Sequence, residues 1–247
     1  MLEGLHSAAA GMAAQQERIS AVSNDLANVS TSGYKHVRIG FHDLMYQEGG
    51  RPAVRGDAAQ IGKGSAAIDA GRSTAQGSLQ RTDSQLDVAI QGEGHLRVRL
   101  PDGRQALTRD GAMHLDAGGR LTSSTGALMQ PAITVPKGLT ATDVRIAQDG
   151  TVSAGGRRLG RLDIVTVRAP QALTSIGENA FVASAASGAP TRAPASTVLT
   201  AGALEASNVD MADAMVEMID AQRSYQLAAK AIETADQMMG IANGVRR

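Results

Sequence analysis

The sequence predicts an α+β protein, in which long N- and C-terminal helices form a coiled-coil-like stalk and the middle of the chain is an antiparallel β-rich domain. Three observations support this prediction. Apolar residues recur every seven positions near both ends of the chain. Glycine-containing turn dipeptides separate short apolar runs in the middle. No helical pattern of useful length interrupts those runs.

A seven-residue repeat predicts the N-terminal helix, from about Glu3 to Val29. One heptad position holds Leu5, Met12, Ile19 and Leu26, and the position three residues later holds Ala8, Gln15, Val22 and Val29. The pattern stops at the Ser-Thr-Ser-Gly run of residues 30–33, which is typical of a helix end. At about 1.5 Å per residue, this helix would be roughly 40 Å long.

The C-terminal repeat is stricter. One position holds Met211, Met218, Tyr225, Ile232 and Met239, and its companion holds Ala214, Ala221, Ala228, Ala235 and Ala242. Alanine at every companion position lets a neighbouring helix approach closely. Ser207 followed by Asp210 has the spacing of a capping box and predicts the helix start. This helix would be roughly 50 Å long.

The central region has the composition of a β-domain. Turn dipeptides occur at residues 102–103, 110–111, 118–119, 149–150 and 155–156. Between them, residues 86–90, 95–100 and 162–167 form strand-like runs, and 95–100 alternates apolar with polar residues. We therefore divide the chain into an N-terminal helix with its following segment (1–35), an extended connector (36–80), a β-rich domain (81–203) and a C-terminal helix (204–247).

Composition argues against several classes of function. Lys plus Arg equals Asp plus Glu at 24 each, so no net field attracts nucleic acid. There is no cysteine, and no apolar run reaches the roughly 18 residues that membrane insertion requires. No two of the five histidines have helical metal-site spacing, and the Ser-x-x-Lys at residues 32–35 lacks the other motifs of penicillin-recognising enzymes. We predict no catalytic residues, no metal and no cofactor.

Two separate regions resemble one known family. Residues 23–35 resemble the N-terminal signature of the flagellar rod and hook family, with Asp25 where the usual form has Asn. Residues 204–210, 215–219 and 222–226 resemble the closing helix of the same family. Residues 41–47, 130–136 and 175–179 are most similar to the distal-rod subgroup. The two signatures occur in the family's order, and the resemblance covers essentially the whole chain.

The resemblance implies a structural subunit of the flagellar basal-body rod that polymerises through its terminal helices into a drive shaft transmitting torque to the hook. It implies termini that are disordered before assembly, and export through the type III channel without a cleaved signal. The implied partners are further copies of this chain, other rod and hook subunits, ring proteins around the rod and the export apparatus. The predicted assembly interface consists of Leu5, Met12, Ile19, Val22, Leu26, Asn28, Met211, Ala214, Met218, Ala221, Tyr225, Ala228, Ile232, Ala235 and Met239.

Other interpretations remain open at this stage. The chain could be a proximal-rod subunit or another member of the family. The apolar stripes could be ordinary core faces of a globular protein. The β-domain could be a ligand-binding module, with the two helices forming a coiled coil within a single chain. An enzyme acting on the cell wall is the remaining alternative, but no catalytic constellation supports it.

Overall fold

A computed structural model describes residues 2–44, 46–48, 60–62 and 64–244. The described residues fall into two compact units. The helical unit is formed from Met1–Ala27, Val37–Ala70 and Asp210–Arg247, and the β unit from Asn28–His36 and Gly71–Val209. The chain therefore passes between the two units four times, after residues 27, 36, 70 and 209.

The helical unit is built on two long helices that pack against each other, α1 (Leu2–Ala27) and α2 (Met211–Gly244). At about 1.5 Å per residue, α2 is roughly 50 Å long, as the repeat predicts. Four strands occur in the stretch predicted as a connector. β1 (Val37–Asp43) pairs with β4 (Ser65–Arg72), and β2 (Tyr46–Glu48) pairs antiparallel with β3 (Gln60–Gly62).

The start of α2 corrects the predicted capping box. Asp210 is the cap, because its Oδ1 accepts the backbone N–H groups of Ala212 at 2.8 Å and Asp213 at 3.2 Å. Ser207 instead accepts the N–H of Val209 in a local turn. The N–H of Asn208, which precedes the cap, donates to the carbonyl of Tyr34.

The β unit contains sixteen strands among the described residues. They are β5 (Leu79–Arg81), β6 (Val88–Gln91), β7 (His95–Arg99), β8 (Gln105–Thr108), β9 (Met113–Leu115), β10 (Leu121–Ser123), β11 (Leu128–Met129), β12 (Val144–Ile146), β13 (Thr151–Ala154), β14 (Arg157–Arg161), β15 (Ile164–Thr166), β16 (Thr174–Gly177), β17 (Ala180–Val182), β18 (Thr191–Arg192), β19 (Val198–Ala201) and β20 (Ala203–Glu205).

The largest sheet of the β unit has the order β16-β17-β8-β7-β11-β10-β9, with β15 also pairing β7 and β18 pairing β15. A three-stranded sheet β12-β13-β14 and the pairs β19–β6 and β20–β5 complete the unit. The pairings of the β unit are antiparallel. The predicted α+β class, with terminal helices and a central antiparallel β region, is confirmed.

Strand alternation places the core of the β unit. On β7, Leu96 and Val98 are buried while Arg99 is exposed, and Ile90, Val152 and Leu199 from other strands are buried with them. Four of the five predicted turn dipeptides lie at turns between strands.

The fifth dipeptide, Asp110-Gly111, lies in a buried stretch and not at a hairpin turn. A Cβ at Gly111 would lie 1.6 Å from the carbonyl oxygen of Val88, so glycine is required there for close backbone contact. None of the helices in the described part of the chain has the length and apolarity needed to cross a membrane.

Candidate assembly interface and signature anchor

The predicted interface residues of α1 lie on one face of the helix. Val22 is buried, and Leu5, Met12, Ile19 and Leu26 are half-buried. Ala14 is also buried, although it lies outside both heptad positions. The face of α1 that is removed from solvent is therefore wider than the heptad pattern alone indicates.

On α2 the alanine position is the most buried. Ala221 is fully buried and Ala214 is 7% exposed, which fits the close helix approach that alanine permits. Met218, Ala228, Ile232, Ala235 and Met239 are half-buried. Met211 and Tyr225 remain exposed, so these two predicted residues are not covered within one chain. Asn28 is half-buried in the β unit.

A second apolar surface of α2 was not predicted. We call it the outer face, and it consists of Met215, Val216, Ile219, Leu227, Met238 and Ile241, each between 47% and 72% exposed. At about 100° per residue, most of these side chains point away from Ala221. The strict heptad repeat predicted the other side of the helix as the interface. The available signal was the presence of large apolar residues at positions outside that repeat.

The family-like segment after α1 is anchored within the β unit by backbone hydrogen bonds. The N–H of Gly33 donates to the carbonyl of Glu205 at 2.7 Å. Asn208 accepts the N–H of His36 on its side-chain oxygen at 2.8 Å and donates its own N–H to Tyr34. The N-terminal and C-terminal family signatures therefore contact each other directly. We call residues 33–36 with 205–208 the signature anchor.

Gly33 is required by the geometry of this anchor. Its φ is +69°, a conformation that side chains disfavour. A Cβ at this position would also lie 2.7 Å from the backbone carbon and oxygen of Arg109. The positive φ and the close contact with Arg109 both disfavour a side chain at this position, so the structure explains why the signature has glycine there.

A buried ion triad lies beneath the anchor. Glu205 accepts from Lys35 Nζ at 2.5 Å on Oε1 and from Arg109 Nε at 2.8 Å on Oε2. Gly77 donates its N–H to Oε1 as well, at 2.9 Å. The three charged side chains are 0–7% exposed. Arg109 also donates to the carbonyl oxygens of Gly94 and Gly92, so its guanidinium is extensively bonded.

The electrostatics of the triad follow from this packing. Burial acts to raise the pKa of Glu205, but the charges and hydrogen bonds of Arg109 and Lys35 outweigh burial and lower it. Burial lowers the pKa of Lys35 despite its bond to Glu205. Burial, together with the nearby Arg109 and Lys35 charges, lowers the pKa of His95 to about 4, which keeps its imidazole neutral at physiological pH.

Two further side chains hold the signature in place. Glu178 and Asn179, both at φ +53°, form the tight turn between β16 and β17, and Asn179 Nδ2 donates to the carbonyl of Ser32 at 2.8 Å. Arg72 donates to the carbonyl of Lys35 at 2.9 Å. Its guanidinium carbon lies 5.3 Å from the ring centre of Tyr34, which is a cation–π contact.

Sequence reasoning missed the triad, although one signal was present. Glu205 shares a strand face with Ala203, and both are buried. A carboxylate at an inward strand position requires cations nearby. The cations themselves come from residues 96 and 170 positions away in the sequence, a pairing that no local pattern shows.

Three families match this chain in three places. Residues 5–35 match the flagella basal body rod protein family, and residues 89–154 match the D1 domain of the flagellar hook protein FlgE/F/G. Residues 200–245 match the C-terminal region of the flagellar basal body rod FlgEFG proteins. Terminal helices and an anchored β unit, matched in this order, define a flagellar axial protein of the rod and hook class.

Relatives that align over nearly their full length identify the subgroup of the rod and hook class to which the chain belongs. The flagellar basal-body rod protein FlgG of Borreliella burgdorferi is 38% identical over 264 aligned residues, covering 100% of both chains. FlgG of Caulobacter vibrioides is 37% identical, covering 99% of this chain and all of the relative. FlgG of Bacillus subtilis is 36% identical over 97% of each chain. The chain belongs to the FlgG family of flagellar basal-body rod proteins. The prediction of a non-enzymatic, structural subunit of the distal rod is confirmed.

Proposed function

We propose that this subunit polymerises through α1 and α2, and that the resulting rod transmits torque to the hook. The observation that supports the proposal is the outer face of α2. Six large apolar side chains on one helix remain exposed in the single chain, and such surfaces mark protein contacts. Exposure of Met211 and Tyr225 adds two predicted interface residues to that uncovered surface.

The geometry of α2 suits a polymer and not a simple pair. One side of the helix carries Ala221 and Ala214, which are covered within the chain. The other side carries the outer face. A helical assembly needs each subunit to contact neighbours through more than one surface, because its contacts do not close on themselves. We assign to this contact system the outer face and those of the fifteen predicted interface residues that the single chain leaves exposed or half-buried. Val22, Ala214 and Ala221 are already buried within the chain.

Membership of the FlgG family supports our proposal for the partners and for the route to the rod. The neighbours of the subunit are further copies of itself and the other rod and hook subunits, with ring proteins surrounding the rod. The subunit reaches the rod through the flagellar type III export apparatus. The signature anchor supports torque transmission, because a buried ion triad ties the segments that lead to both helices into the β unit.

Leu227→Glu tests the proposal on the most exposed apolar side chain of α2. Leu227 is 72% exposed, so the substitution should leave the single chain folded. In the rod, the same carboxylate would be buried against a neighbour without a cation, and assembly should be lost. Gln226→Glu, at the exposed neighbouring residue, is the matched control and adds the same charge without removing apolar surface.

The readout is the amount of each variant in basal bodies isolated from cells that express it as their sole copy, together with swimming motility. We expect Leu227→Glu to be absent from basal bodies and Gln226→Glu to be present. Normal incorporation of Leu227→Glu, with wild-type motility, would contradict assembly through the outer face.

A further inference from the structure

A cavity of about 430 Å³ lies in the β unit beside the buried ion triad. Its walls have two characters. Val167, Leu173 and Phe181 form an apolar side. Lys35, Arg72, Arg109 and Arg168 provide cations, and Glu93 is the one acidic residue that lines it within the described part of the chain. We call this cavity the cationic cleft.

The charges of the cleft are not balanced by the described residues around it. Glu205, behind the wall, compensates one of the two cations Lys35 and Arg109, not both. Arg72 bonds a backbone carbonyl and approaches the hydroxyl of Ser175, neither of which is anionic. Arg168 is exposed and makes no salt bridge to the described part of the chain. The cleft therefore has a positive potential, strengthened by its partly apolar walls.

An unused polar group also lines the cleft. Nδ1 of His95 is buried, and it has no hydrogen-bond partner among the described residues. Buried polar atoms in native proteins are usually bonded, either to protein groups or to ordered water. The ammonium of Lys35 has three donors, and Glu205 and Ala75 accept two of them.

The size of the cleft selects among anions. Its volume is in the range of sites that hold a small molecule or several side chains. A free inorganic anion would neutralise the cations but would make little contact with the apolar side, of which Leu173 is half-buried while Val167 and Phe181 are 4% exposed. The chemistry that fits both walls is a carboxylate with apolar side chains beside it.

This chain itself carries such a surface. The β unit has 15 Lys and Arg against 11 Asp and Glu, a net charge of +4. The sequence of the helical unit has 9 Lys and Arg against 13 Asp and Glu, a net charge of −4, so the neutral total hides two opposite charges. On α2, Asp213, Val216 and Asp220 are exposed at spacings of three and four residues, which places them on one strip. Val216, 58% exposed, thus lies between two carboxylates.

We propose that the cationic cleft binds the Asp213–Val216–Asp220 strip of a second copy of this chain. The carboxylates approach Arg168 and Arg72, and Val216 covers part of the apolar wall. The proposal rests on the proposed self-assembly and names one of its contacts. It adds a charge-dependent contact between the β unit of one subunit and α2 of another to the apolar contacts of the helices.

Cysteine cross-linking tests this contact without background, because the chain has no cysteine of its own. One full-length preparation carries Arg168→Cys and a second carries Asp220→Cys. The two are mixed under assembling conditions and oxidised, and the disulfide-linked dimer is measured. The matched control replaces the second preparation with Asp236→Cys, an exposed acidic residue of the same helix about four turns away.

We expect the 168–220 mixture to give at least about tenfold more cross-linked dimer than the 168–236 mixture, since a specific contact is worth a factor of that order. Arg168→Glu should weaken assembly, and the double variant Arg168→Glu with Asp220→Arg should restore it. Equal cross-linking in the two mixtures, or wild-type assembly of Arg168→Glu, overturns the proposal. If the wild-type chain assembles in the same experiment, rod formation through the helices stands regardless. Failure of the wild-type chain to assemble would count against both proposals.

Discussion

Glu205 is a carboxylate without access to solvent, and its three hydrogen-bond donors come from parts of the chain far apart in sequence. A buried ion pair adds little net stability over an apolar core, but removing one partner is costly because the remaining charge has no compensation. The triad holds two cations on one anion. Loss of Glu205 should therefore destabilise the fold more than loss of either cation.

Glu205→Gln should lower the free energy of unfolding by about 3 kcal/mol, because Lys35 and Arg109 would remain buried without a counter-charge. The change keeps the shape of the side chain, so packing is not the cause. Urea unfolding of the full chain at neutral pH measures the effect. Glu17→Gln, at an exposed position of α1, removes the same charge as a control and should have an effect close to zero. Similar urea midpoints for the two variants would show that the triad does not stabilise the fold.

At the scale of elements, the two helices depend on small residues. Of the described side chains of α1 and α2, the buried apolar ones are Ala14, Val22, Ala214 and Ala221. Three of these four are alanines, which bury little apolar surface but allow the backbones to approach. The packing of the helices is consequently sensitive to any enlargement at these positions.

Ala221→Glu should separate the helices, because the new side chain has no space at a fully buried site and its carboxylate has no cation. We expect a loss of helix content in far-UV circular dichroism and loss of the subunit from isolated basal bodies. Ala231→Glu, at an exposed position of the same helix, serves as the control and should retain both. Wild-type helicity and motility for Ala221→Glu would contradict this packing.

Periodicity predicts the elements whose buried face repeats along a continuous stretch of sequence. The heptads predicted α1 and α2, and the alternation of residues 95–100 predicted β7, because each pattern reflects the face that an element buries. The spacing predicted a cap at Ser207, whereas Asp210 is the cap and Ser207 accepts the N–H of Val209. The backbone N–H groups of residues 206 and 208 donate to the carbonyls of Ser78 and Tyr34, contacts that no local pattern shows. The signature anchor and the triad join residues that are far apart in the sequence, so no local pattern predicts which residues they bring together.

For the whole molecule, the uneven burial of the two units predicts uneven stability. The β unit has a continuous core that includes Ile90, Leu96 and Met129, whereas the helices have four small or medium buried apolar side chains in the described part of the chain. Regions with few buried apolar contacts open at lower free energy than the global transition.

Hydrogen exchange on the dilute chain should show this difference. We expect amides of α1 and α2 to exchange at least about a hundredfold faster than those of β7 and β8, which corresponds to about 3 kcal/mol of opening free energy. Isolated rods are the control, and in them the helices should become protected because neighbours supply the missing burial. Equal protection of both units in the dilute chain would mean that packing within one subunit already stabilises the helices without neighbours.

The signature anchor also places the two ends of the β unit side by side. Tyr34 and Asn208 are joined by a backbone hydrogen bond, although 173 residues separate them in the chain. A unit whose first and last residues adjoin can be lengthened, shortened or replaced between those points without changing how its ends are spaced. The β unit can in this respect accept an added domain at one of its exposed turns. A foreign domain with adjoining ends, inserted at the Gly155-Gly156 turn, would be displayed at every subunit of the assembly while the helices and residues 37–70 kept their own sequence.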